Sequence, residues 1–119
     1  GRLYHEKRDS KNARFYFLQA YNLKKDSFEI INNLAGFLRE EGEYLKAIDL
    51  YLEALKINPN NTTIINNLAK AYFDIDQLET AKKYCLKALS LNRNEGNIQK
   101  ILSLIYLRQQ KYKSGWDFF

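Results

Sequence analysis

The sequence predicts an all-α protein built as a stack of antiparallel helix pairs, and three observations carry that expectation. The 119-residue chain repeats itself at an offset of 34, with Ile-Ile-Asn-Asn-Leu standing intact at 30–34 and again at 64–68. Apolar residues inside each repeat recur at steps of three and four, the spacing of one helix face. One proline and five glycines in the whole chain leave few places where a helix must stop. A period of this size with helical spacing inside it means helix pairs that bury their apolar stripes against their neighbours.

The register divides a single predicted domain into a partial repeat at 1–27, full repeats at 28–61 and 62–95, and a partial repeat at 96–119. In the first full repeat, Ile31, Leu34, Ala35 and Leu38 mark one helix, and Ala47, Leu50, Tyr51, Ala54 and Leu55 mark a second. Between them Gly42 can take the left-handed conformation that ends a helix, and Asp76 stands at the same position of the next repeat. Asn58-Pro59 closes the second helix, because the residue before proline disfavours the α region, and Asn61 or Thr62 can cap the next helix. Ala35, Ala47 and Ala54 let the two helices approach closely, and a larger side chain would push them apart. Outward, Tyr4, Ala13, Phe17 and Ala20 keep the register on one side. Leu102, Ser103, Tyr106, Tyr112 and Gly115 keep it on the other, so about seven to eight helices are expected.

These residues resemble the tetratricopeptide repeat family. Residues 28–61 meet its pattern with Ile31, Leu34, Ala35, Leu38, Ala47, Tyr51, Ala54 and Pro59, departing by Ile for Trp and Leu for Tyr. Residues 62–95 meet it with Ile65, Leu68, Ala69, Tyr72, Ala81, Cys85 and Ala88, with Arg93 where Pro would stand. The resemblance implies a right-handed superhelical α-solenoid acting as a scaffold or adaptor that binds another protein within a complex, with no catalysis and no cofactor. It also implies a concave groove lined by the first helix of each pair. By position the groove receives Asn32, Asn33, Gly36, Arg39 and Glu40 from one repeat and Asn66, Asn67, Lys70, Phe73 and Asp74 from the next. Lys100, Leu104 and Arg108 lie beyond. An amide side chain offers a peptide backbone both donor and acceptor, although Asn33 and Asn67 can equally bond to neighbouring helices.

One subfamily clamps the C-terminal carboxylate of chaperones with two Lys, two Asn and a further cation. Of that set only Asn67 is present; Asn32, Asn97 and Ile101 occupy cation positions and Gly36 replaces the other Asn, so no positive pocket for a terminal carboxylate is expected.

The last stretch is apolar almost all the way round. Ile101, Leu104 and Leu107, extended by Trp116 and Phe118, make an end that should be covered by further chain, a second copy or another protein. The net charge of +5 resolves into +5 over 1–25, −6 over 26–79 and +6 over 80–119. The acidic middle argues against nucleic acid, whose phosphates need a continuous cationic face. Complementary blocks also suit self-association, the alternative to a foreign partner, while RNA binding by a helical repeat ranks below both. Cys85 and His5 are the only residues of their kinds, which excludes an internal disulfide and multi-cysteine metal sites, and Cys85 is expected as an inert core thiol. No apolar run approaches the ~18 residues of a membrane span. Gly1-Arg2-Leu3-Tyr4 shows neither a starting Met nor a signal region, so the true N-terminus is expected to be missing and the compartment is not encoded here.

Overall fold

The computed structural model describes residues 2–93 and 96–116, with side chains described over 11–93 and 97–113. Among the described residues there are six α-helices, α1 (Arg2–Leu23), α2 (Phe28–Glu40), α3 (Tyr44–Ile57), α4 (Thr62–Asp74), α5 (Leu78–Leu91) and α6 (Gly96–Trp116). They fall into two compact units, residues 1–59 with α1 to α3 and residues 60–119 with α4 to α6. Each unit holds one antiparallel hairpin, α2/α3 or α4/α5, packed against one longer helix.

The hairpins begin and turn where local chemistry allows. Ser27 and Asn61 sit in extended backbone and their side chains accept from the amides of Ile30 at 3.5 Å and Ile64 at 3.1 Å, satisfying donors that an α-helix leaves open. At the first turn Gly42 has φ +87°, and its amide bonds to Arg39 O while that of Glu43 bonds to Leu38 O. The second turn repeats this one period later. Asp76 has φ +64°, with its amide on Phe73 O and that of Gln77 on Tyr72 O. Both are left-handed helix stops in which two otherwise orphaned carbonyls are paired. Aspartate is among the few non-glycine residues that reach this conformation at modest cost.

The same position explains why six helices stand where seven or eight were expected. At intervals of 34 the sequence places Arg8, Gly42, Asp76 and Gln110. Gly42 and Asp76 turn the chain, whereas Arg8 and Gln110 lie inside α1 and α6, which run on without a break. A left-handed stop at Arg or Gln costs roughly 1 kcal/mol or more, and continuing the helix instead adds a backbone hydrogen bond per residue.

In residues 1–59 the core is Ile31, Leu34, Ala35 and Leu38 against Ala47, Ile48, Tyr51 and Ala54, all buried. α1 is fastened to the hairpin by a Phe17–Phe37 ring contact at 5.2 Å, by an Arg14–Glu43 ion pair, and by the Tyr21 hydroxyl donating to Glu53 at 3.1 Å. Partial burial raises the Glu43 carboxyl, but Arg14 and Lys46 outweigh it and hold its pKa below the usual range. In residues 60–119, Ile64, Ile65, Leu68, Ala69 and Ala71 meet Leu78, Ala81, Cys85 and Ala88, and α6 inserts Ile98, Ile101 and Ile105.

Gly36 lies inside α2, where a Cβ would come to 3.6 Å of the Tyr51 hydroxyl, ordinary van der Waals contact. Gly36→Ala is therefore expected to stabilise the protein by about 0.5–1 kcal/mol through reduced backbone freedom in the unfolded chain. A urea midpoint unchanged or lowered by the substitution would contradict that packing.

Candidate partner-binding face

The positions assigned to the groove fall on both units, and residues 60–119 bring several of them together. α4 and α6 pack within this unit, and the Arg108 guanidinium lies over the Phe73 ring at 4.1 Å from its centre. The other flank of Arg108 pairs with Asp76 at 3.5 Å, so a long cation that would otherwise sample many rotamers is held in place. Lys70 and Asp74 are half-buried on the same helix as Phe73, while Lys100, Leu104 and Leu107 are exposed on α6. The face therefore offers one ring, one oriented guanidinium, two lysines, two carboxylates and two apolar side chains.

Asp76 was legible in the sequence only as a turn residue, yet it also anchors α6. Tyr112 donates its hydroxyl to Asp76, and Gln109 donates to Glu79 at 2.8 Å. The bond to Asp76, with help from partial burial, raises the Tyr112 pKa. The available signal was an acid at a helix stop one period after a glycine, facing a basic and tyrosine-rich segment.

Other assigned residues lie elsewhere. Asn66 is 6% exposed, and its Oδ1 is buried without a hydrogen-bond partner, so it is withdrawn from the surface at a cost of roughly 1–3 kcal/mol. Ile101 is likewise 6% exposed and fills the core beside Ile98 and Ile105. Asn67 is half-buried on α4. In residues 1–59, Asn32, Gly36 and Arg39 are half-buried along α2, and Asn33 and Glu40 are exposed. Of the apolar end, Leu104 and Leu107 are exposed, the Trp116 side chain lies outside the described residues, and so does Phe118.

Cys85 is fully buried, and burial pushes its thiol up to about 11. Against an ordinary thiol near 9 the thiolate population at pH 8 falls about 100-fold, so alkylation of the native protein by iodoacetamide is expected to be at least that much slower than in urea. Equal rates would mean that Cys85 is accessible. Among the described residues no group of three or more His, Cys, Asp or Glu is placed to hold a metal, and no helix is long and apolar enough to cross a membrane.

A tetratricopeptide repeat model matches residues 1–27 and 62–95, more than half of the chain, and a TPR repeat model matches residues 38–76. The chain belongs to the tetratricopeptide repeat family. Solved tetratricopeptide structures share its fold at low identity. The first TPR of Spaghetti (RPAP3), bound to the HSP90 peptide SRMEEVD, superposes with TM-score 0.80 at 19% identity, covering 92% of this chain and 87% of that one. The Sgt2 TPR domain from Aspergillus fumigatus gives 0.79 at 17% identity, covering 96% and 77%. MamA MSR-1 C2 gives 0.75 at 17% identity, and this chain spans 64% of its length. No curated protein matches the sequence.

Proposed function

We propose that this tetratricopeptide protein is a non-catalytic interaction module whose α4/α6 face takes an extended peptide or short helix of a partner protein, one bearing acidic and apolar side chains. The observation that carries this reading is Arg108 of α6, held between Phe73 and Asp76 on the helix that also presents the exposed Leu104, Leu107 and Lys100 and packs on α4 with its Lys70. Three cations against Asp74 and Asp76 leave a net positive charge that favours a carboxylate-bearing ligand, and an oriented guanidinium receives a carboxylate with less rotamer loss than a mobile lysine. Leu104 and Leu107 supply the apolar contact that gives such a site its affinity.

The RPAP3 relative is bound to a chaperone peptide. Here Asn32, Asn97, Ile101 and Gly36 occupy the positions where a carboxylate clamp needs cations and a second Asn, which favours a peptide recognised along its length over one recognised by its terminus. Asn67 on α4 belongs to the same proposed role as a polar contact, and within residues 1–59 Asn33 and Arg39 are proposed as polar contacts of α2.

Selection from a library of random displayed peptides tests the proposal. Enriched sequences should combine Asp or Glu with apolar residues, perturb the amides of 70–74 and 100–108 in NMR titration, and lose at least tenfold in affinity to Arg108→Glu and to Leu104→Asp. Peptides that bind both variants as well as the wild type would place recognition elsewhere.

A further inference from the structure

Viewed down its axis at 100° per residue, α6 has three faces roughly 120° apart. Ile98, Ile101 and Ile105 are buried, and Lys100, Leu104, Leu107 and Arg108 form the proposed peptide-binding face. The third carries Gln99, Leu102, Ser103 and Tyr106, with Leu102 half-buried and the others exposed. One period earlier, on α4, that face is Ile65, Leu68, Ala69 and Tyr72, and it is covered by α5. Its centre is a Tyr72–Tyr84 stack, rings 5.6 Å apart and 5° from parallel, flanked by the fully buried Ala81, Cys85 and Ala88.

α1 reproduces the α5 side of that contact. Ala81, Tyr84, Cys85 and Ala88 become Ala13, Tyr16, Phe17 and Ala20 two periods earlier, and α6 repeats the α4 side as Leu102, Ser103 and Tyr106. The central repeat, with Leu38 and Leu50 in the tyrosine positions, lacks this pair. The burial differs accordingly. Ala13, Phe17 and Ala20 are only half-buried, Tyr16 is 71% exposed and Tyr106 is 48% exposed, the latter with the Lys82 ammonium 5.0 Å from its ring centre.

We infer that two copies of this chain associate head to tail, α6 of one pairing antiparallel with α1 of the next so that Tyr106 stacks on Tyr16 as Tyr72 stacks on Tyr84. The contact continues an interface already present within the chain, with small residues Ser103, Ala13 and Ala20 admitting the close approach. It is heterologous, so a dimer keeps one α6 face open at one end and one α1 face open at the other, and association proceeds beyond the dimer. The paired faces themselves, Ala13, Tyr16, Phe17 and Ala20 on α1 and Gln99, Leu102, Ser103 and Tyr106 on α6, are uncharged, so association should change little with added salt.

Sedimentation equilibrium of the 119-residue chain up to about 1 mM, at low and at 0.5 M salt, tests this. Tyr16→Arg and Tyr106→Arg alter exposed side chains, and circular dichroism checks that each variant stays folded. The wild type should exceed 14.1 kDa increasingly with concentration, and each variant alone should remain at that mass. An equimolar mixture of the two variants should reach twice that mass and stop, because one intact α6 face and one intact α1 face remain between them. A wild type that stays monomeric throughout overturns the inference and assigns both faces to a different occupant. Association lost only with Tyr106→Arg and not restored by mixing also overturns it, in favour of α6 pairing with α6.

Discussion

Replacing Tyr51 with alanine is expected to remove about 3–5 kcal/mol from residues 1–59, a large share of the 5–15 kcal/mol that holds a typical domain together. Tyr51 is the largest fully buried side chain among the described residues, on the face of α3 that meets Ile31, Leu34, Ala35 and Leu38, and its hydroxyl lies 3.6 Å from where a Cβ at Gly36 would stand. Truncation leaves a cavity between two helices whose crossing is already set by alanines, so the walls cannot collapse far. The equivalent residue one period on is Cys85, and Cys85→Ala should cost only about 1 kcal/mol because it deletes a single heavy atom. Native-state hydrogen exchange resolves the two. Tyr51→Ala should lower protection across α2 and α3, and a loss under about 1 kcal/mol there would show that Tyr51 does not anchor the hairpin.

Ala88→Leu is expected to be the second large effect, for the opposite reason. Ala88 is fully buried on α5 within the hairpin made with α4, and leucine adds three heavy atoms where interior packing leaves none. Overpacking of this kind costs about 1–3 kcal/mol, which lowers Tm by roughly 5–15 °C in a chain of this size. Leu86→Ala provides the control, since Leu86 on the same helix is half exposed and its truncation should stay within about 0.5 kcal/mol. Equal effects from the two variants would mean that the small residues do not set the helix separation.

Much of the fold was legible because its determinants are local and repeated. The steps of three and four located α2 to α5, and Gly42 and Asp76 located their turns, since few residues besides Gly, Asn and Asp enter the left-handed region cheaply. The extension of the repeat to both ends kept its register but not its turns. Arg8 and Gln110 carry the position without its conformational freedom, and each terminal stretch is one helix.

The candidate face was legible only in part. Lys70, Phe73, Lys100 and Arg108 were assigned by position alone, and nothing in that assignment distinguished Phe73 with Arg108, which touch, from Asn66 and Ile101, which are buried. A repeat fixes which helix face a residue occupies; how deeply it is buried depends on what the adjoining helix presents there.

The sequence alone therefore determined the helix-hairpin repeat, its period and the two turns, all consequences of backbone preference and apolar spacing within a few residues. Only the tertiary structure decided which repeated positions reach the surface, and it alone showed that Asp76 both turns the chain and binds Tyr112 and Arg108, 36 and 32 residues away. Contacts across that separation arise when one helix packs on another, and no local preference encodes them.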